Sequence, residues 1–198
     1  MWANEALSNA VIRFLTREVH NYQRRIPNNL EKLKKHIRPG DILLVEGKSR
    51  ISQIIKYLTQ SSWSHSAIYL GDHIELRGHP LAQHYRDLYG DESRHLLIEA
   101  ELSGGVAAVP LTKYLDYNLR LCRPYSLSID DLEKVLGEVI AHLGDTYDRK
   151  RLLDLGRYLT PFSLIPARWR RKAFFHGPST SRAVICSGLI ARAFLNVH

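Results

Sequence analysis

Cysteine is scarce in this chain: Cys122 and Cys186 are the only two in 198 residues. Two such thiols give no disulfide framework, so a reducing setting is expected. No apolar run approaches the roughly 20 residues that a bilayer-spanning helix needs. The first residues, Met1-Trp2-Ala3-Asn4-Glu5, lack the basic start and apolar stretch of a secretory leader. The expected location is therefore cytoplasmic, with export by another route left open. Internal repeats and low-complexity linkers are missing too, which excludes solenoid arrays and long disordered tethers.

What the chain does have is enough apolar content for one core, and an excess of positive charge. A hydrophobic share of 44% argues against general disorder, and the length suits one compact domain. The formal charge of +8 and pI near 9.6 admit three readings: a solubilising surface, attraction to an anionic membrane surface, or nucleic-acid binding. The basic residues fall in short clusters (Arg24-Arg25, Lys32 to Lys35, Arg149 to Arg151, Arg168 to Lys172). None carries a nucleic-acid motif, and no nucleic-acid partner is expected.

Periodicity predicts helices over Glu5 to Gln23, Leu30 to His36, the stretch after Ser49, Ile129 to Leu143, Arg149 to Leu159 and Ile185 to Leu195. The helix from Ile129 has the strongest signature, with Ser128 as its cap, Asp131 three residues on, and Gly144 to end it. The last helix is apolar enough to be expected buried. Strands are predicted at Asp41 to Val45, His65 to Leu70, His95 to Leu102, Val106 to Val109 and Leu119 to Cys122. His73 to Arg94 is polar and His-rich and reads as an irregular excursion; residues 160–180, with three prolines, read as a surface loop. Strands in the middle and helices at both ends give an α+β protein around a small, mostly antiparallel sheet.

Three residues stand out as a chemical set. Cys186 opens the C-terminal helix, where backbone N–H groups and the positive dipole end favour a thiolate. His65 begins one predicted strand and can move the thiol proton. Glu99, on the next, can fix the imidazole's tautomer. Each has an ordinary alternative: a small core thiol, a hydrogen-bonded structural histidine, a solvated strand glutamate. Glu101 lies two residues on, on the same face, and is the rival acid.

The ordered segments Pro39-Gly40-Asp41-Ile42-Leu43, Ser64-His65-Ser66-Ala67-Ile68-Tyr69, Ile98-Glu99-Ala100, Gly144-Asp145-Thr146-Tyr147-Asp148 and Cys186-Ser187-Gly188-Leu189 carry a resemblance. Together they resemble the circularly permuted NlpC-type cysteine hydrolases, the YiiX/YebB-like papain-fold amidases related to the lecithin retinol acyltransferase group. The likeness runs from about Arg38 to Asn196. It implies a permuted papain-like domain over residues 38–198 behind a helical extension, 1–37. It also implies Cys186 as nucleophile, His65 as base and Glu99 as third member. Tyr147 is expected to line the cleft, with Ser64 and Ser187 as further substrate contacts beside the base and the nucleophile.

The expected function is hydrolysis of an amide or ester, in a peptide, a cell-wall peptide or an acyl lipid, through a thioester acyl-enzyme. The alternative is a non-catalytic module that kept the fold to bind lipid or protein. No cofactor and no metal are expected: His73, His79, His84 and His95 match no zinc spacing. Trp169, Phe174 and Phe175, among basic residues, suit contact with an anionic membrane surface. Cys122, inside a predicted strand, is expected to be an inert core thiol.

Overall fold

The computed structural model describes residues 13–19, 22–101, 104–145, 185–195 and 197. Five strands form one sheet: β1 Ile42–Glu46, β2 His65–Gly71, β3 Leu96–Glu101, β4 Gly105–Pro110 and β5 Asn118–Cys122. Their order is β4-β3-β2-β1-β5, and every neighbouring pair is antiparallel. The helices are α1 Leu30–His36, α2 Arg50–Thr59, α3 His73–Leu76, α4 Ala82–Tyr89, α5 Ile129–Ala141 and α6 Ile185–Leu195. The architecture is α+β, as the sequence pattern implies.

The sheet is covered on both faces, and the alternation of side chains along each strand sorts them into two cores. On the first face Ile68 and Leu70 of β2, Leu96, Ile98 and Ala100 of β3 and Val106 and Ala108 of β4 pack together. Val135, Leu136, Val139 and Ile140 of α5 and Leu189, Ile190 and Ala193 of α6 cover them. On the second face Leu43, Val45, Ala67, Tyr69, Leu97 and Val109 meet Ile37, Leu111 and Tyr114, with Leu30 and Leu33 of α1 against them. Burial on both sides explains why these strands read as nearly continuous apolar runs.

The turn into β1 shows why Pro39-Gly40-Asp41 stands where it does. Gly40 has φ +88°, a left-handed conformation that costs glycine little. A Cβ there would also lie 2.5 Å from Leu132 Cδ1 of α5. Asp41 is buried; its carboxylate accepts from Arg38 N at 2.8 Å and from Arg123 Nε and Nη2 at 2.8 and 2.7 Å. That charge-assisted fork ties the turn to the chain just after β5. Ser128 caps α5 as predicted, its Oγ accepting from Asp131 N at 3.1 Å.

Four expectations need correction. The stretch from His73 to Arg94 is not irregular: it forms α3, α4 and a 3-10 turn over Gly90–Arg94. Ile74 and Tyr85 bury there in the first-face core, and that tertiary burial stabilises short helices whose polar sequence hides them. The predicted N-terminal helix does not reach Gln23. Residues 13–16 are helical, but Glu18 bridges Ser49 as extended chain, held by Val19 N to Lys48 O at 2.9 Å and Arg50 N to Arg17 O at 3.0 Å. The C-terminal helix buries only one stripe; Leu195 is 78% exposed. Cys122, on the edge strand β5, is half-buried rather than core.

Candidate active site

β2 and β3 are neighbours in the sheet, and their side-chain alternation puts His65 and Glu99 on the second face, in line with Ala67, Tyr69 and Leu97. His65 is the first residue of β2 and stands at the end of that strand, paired with Val45 of β1. Its Nε2 lies 2.7 Å from Glu99 Oε2. The imidazole keeps 18% side-chain exposure, whereas the Glu99 side chain keeps 1%.

A carboxylate so deeply buried requires compensation, and the 3-10 turn Leu111–Tyr114 supplies it. Lys113 Nζ donates to Glu99 Oε1, and Tyr114 OH donates to Oε2. Lys113 also reaches Glu101 Oε1 at 2.5 Å. The Tyr114 ring leans on the imidazole, with centroids 5.9 Å apart. The carboxyl group of Glu99 feels burial most strongly, and burial pushes its pKa up. The hydrogen bond and charge of His65, together with Lys113, outweigh burial and hold the pKa at about 2. Burial likewise works against the charge on Lys113, but the carboxylates of Glu99 and Glu101 prevail and raise its pKa.

These charges fix a tautomer. An ionised carboxylate only accepts hydrogen bonds, so Nε2 of His65 donates and Nδ1 is the nitrogen that exchanges a proton. An imidazole oriented in this way can serve as a general base and then as a general acid.

Of the two acids weighed in the sequence, Glu99 meets His65 and Glu101 meets Lys113. Ser64, immediately before His65, has its Oγ 3.0 Å from Gly47 N and accepts that hydrogen bond. A Cβ at Gly47 would lie 2.8 Å from Ser64 Oγ and closer still to Ser52 Oγ, so glycine permits this approach beside the site. Cys186 is the second residue of α6, and Ser187 follows it, exposed to solvent. The helix packs on β2 and β3, with Leu189, Ile190 and Ala193 on the first face. The Cys186 thiol, Tyr147, and the Trp169 and Phe174-Phe175 stretch lie outside the described residues.

The four histidines considered for metal binding are scattered. His73 Nδ1 is 3.9 Å from Glu133, His79 Nδ1 accepts from Leu81 N, His84 meets the Tyr85 ring edge, and His95 Nδ1 bonds Tyr69 OH at 2.8 Å. Among the described residues no three His, Cys, Asp or Glu side chains are grouped to hold a metal ion, and no helix is long and apolar enough to cross a membrane.

Sequence reasoning missed Lys113 and Tyr114. They sit 14 and 15 positions after Glu99, between the strands expected at Val106 to Val109 and Leu119 to Cys122, and nothing local marks them. The one available signal is the β3–β4 hairpin, with Leu97 opposite Val109, which returns the chain to the neighbourhood of Glu99.

An antiparallel sheet packed by helices thus holds a histidine at one strand's start, bonded to a buried acid on the next strand. The chain belongs to the permuted papain-like amidase enzymes of the YaeF/YiiX, C92 family, whose model (Peptidase_C92) matches residues 36–154, more than half of the 198. The matched span contains His65, Glu99, Lys113 and Tyr114 and ends before Cys186. No curated protein matches the chain. Membership of an amidase family makes hydrolase chemistry the class of activity.

Proposed function

We propose that the chain is a thiol-dependent hydrolase of amide or ester bonds in which Cys186 is the nucleophile, His65 the proton carrier and Glu99 the residue that orients it. The observation that carries this reading is the 2.7 Å bond between His65 and the buried Glu99. The position of Cys186 in the first turn of α6, on strands β2 and β3, supports it. The helix packs on the first face and the His65 side chain stands on the second, so this reading requires the thiol to reach the imidazole around the end of β2.

In this reading His65 Nδ1 takes the Cys186 proton, and the sulfur attacks the substrate carbonyl carbon. Backbone N–H groups of the first turn of α6 receive the developing oxyanion. The imidazolium returns its proton to the leaving amine or alcohol as the bond to the carbonyl carbon breaks, leaving a thioester on Cys186. Water, deprotonated by His65, then attacks that thioester; the thiol regains its proton and an acid leaves. The substrate class is the carbonyl of a peptide or of an acyl lipid, with Ser64, Ser187 and Tyr147 as contacts.

The test is the rate of iodoacetamide labelling of Cys186 and Cys122 against pH, read by peptide mass spectrometry, in wild type and His65→Ala. Fast labelling of Cys186 well below the free-thiol value of about 8.5, slowed by the His65 substitution, is expected. Equal, slow labelling of both thiols, indifferent to His65, would leave a non-catalytic binding module in place of the enzyme.

A further inference from the structure

We propose that Lys113 and Tyr114 are positioning residues for the His65–Glu99 pair: they lock the carboxylate against Nε2, and the Lys113 ammonium restrains the basicity that Glu99 confers on the imidazole. This rests on the reading of His65 as the proton carrier of a thiol hydrolase.

A glutamate side chain on a strand has three rotatable bonds, and a single hydrogen bond to an imidazole does not fix it. Here one short turn supplies two further donors, Lys113 to Oε1 and Tyr114 to Oε2. The turn is itself anchored: Leu111 is fully buried and Tyr114 nearly so, and Leu111 N bonds His95 O at 2.9 Å. The carboxylate therefore presents Oε2 to His65 from a fixed direction, and the imidazole ring inherits that orientation.

The same geometry sets a balance of charge. Glu99 on its own, buried beside His65, would favour the imidazolium strongly, and an imidazolium held too tightly is a poor donor to a leaving group. Lys113 places a second cation on the same carboxylate and competes for its charge. Glu101, also on β3, binds Lys113 from the more exposed side and moderates it. Glu46, at the end of β1, is tied to Lys56 and Arg25 and takes no part. Tyr114 contributes a neutral donor and a ring against the imidazole. From α6 the facing ionisable group is Cys186 under the proposed mechanism, while Arg192 is turned to Glu138. The device is a three-point hold on one acid, with a lysine that acts through it on the histidine.

The test is an NMR titration of the His65 ring in the Cys186→Ala background, with Lys113→Gln, Lys113→Met, Lys113→Arg and Tyr114→Phe added singly. Lys113→Gln keeps a donor for Glu99 and removes the charge, so it remains informative where Lys113→Met fails to fold. The expected result is an upward shift of the His65 midpoint by about one pH unit in Lys113→Gln and Lys113→Met, with the original midpoint kept in Lys113→Arg. The basic limb of Cys186 alkylation, measured with the cysteine present, should move in the same direction. A His65 midpoint in Lys113→Gln that matches the parent would overturn the proposal. The titration needs no catalysis, so it tests Lys113 separately: an unreactive Cys186 in wild type sinks the hydrolase reading and leaves the titration result to be judged alone.

Discussion

Replacing Glu99 with glutamine isolates the charge on which the site is built. In the folded protein that carboxyl group sits at about 2, against 4.5 for an ordinary glutamate. The difference corresponds to about 3 kcal/mol of folding free energy, since each pH unit is worth about 1.4 kcal/mol. Against a total of about 5–15 kcal/mol for a typical domain, this is a large share. The folded value lies below the unfolded one, so the contribution is complete above pH 4.5 and is lost as the pH falls from 4.5 towards 2. Glu99→Gln forgoes it at every pH. Urea unfolding followed by tryptophan fluorescence and far-UV circular dichroism at pH 7, 5, 4 and 3 should show the wild type more stable by about 3 kcal/mol at pH 7. The gap should shrink by most of that amount by pH 3, while the remaining carboxylates affect both proteins alike and cancel. A gap that stays constant from pH 7 to pH 3 would refute the assignment of that energy to an ionised Glu99 held by His65 and Lys113.

Two further substitutions probe the frame of the site. Tyr114→Phe removes a buried donor from Glu99 and should cost about 1–3 kcal/mol in urea unfolding, with the fold retained by circular dichroism; a neutral effect would mean that the hydroxyl does not serve the carboxylate. Gly40→Ala must hold alanine at φ +88° with its Cβ 2.5 Å from Leu132, and a loss of about 1–3 kcal/mol is expected. Unchanged stability in Gly40→Ala would show that the turn into β1 relaxes freely.

Much of the fold is legible in the residues because it is encoded locally. α1 occupies Leu30–His36 and α6 Ile185–Leu195, as periodicity predicts, and α5 begins at Ile129 behind its serine cap. The five strands fall where apolar, β-branched runs lie between turn residues. The polar stretch around α3 and α4 fails this logic because its helices are stabilised by two anchors, Ile74 and Tyr85, that reach a core built by other segments. The N-terminal helix fails for the reverse reason: a helical pattern over Arg17 to Val19 yields to backbone bonds with Lys48 and Arg50, which lie 29 and 33 positions from their partners Val19 and Arg17.

The sequence by itself determined the five strands and most of the helices, the α+β class, and the candidacy of His65, Glu99 and Cys186, since each depends on residue type within a few neighbours. It favoured Glu99 over its rival Glu101 only through the Ile98-Glu99-Ala100 context, because residues two apart on a strand share a face. Tertiary structure separated their surroundings: the register of β3 between β2 and β4 sets Glu99 beside His65 and leaves Glu101 at the strand's end with Lys113. Only the fold brought Lys113 and Tyr114 to the acid, because the partners of a buried charge are chosen by the return path of the chain through space and leave no periodicity behind.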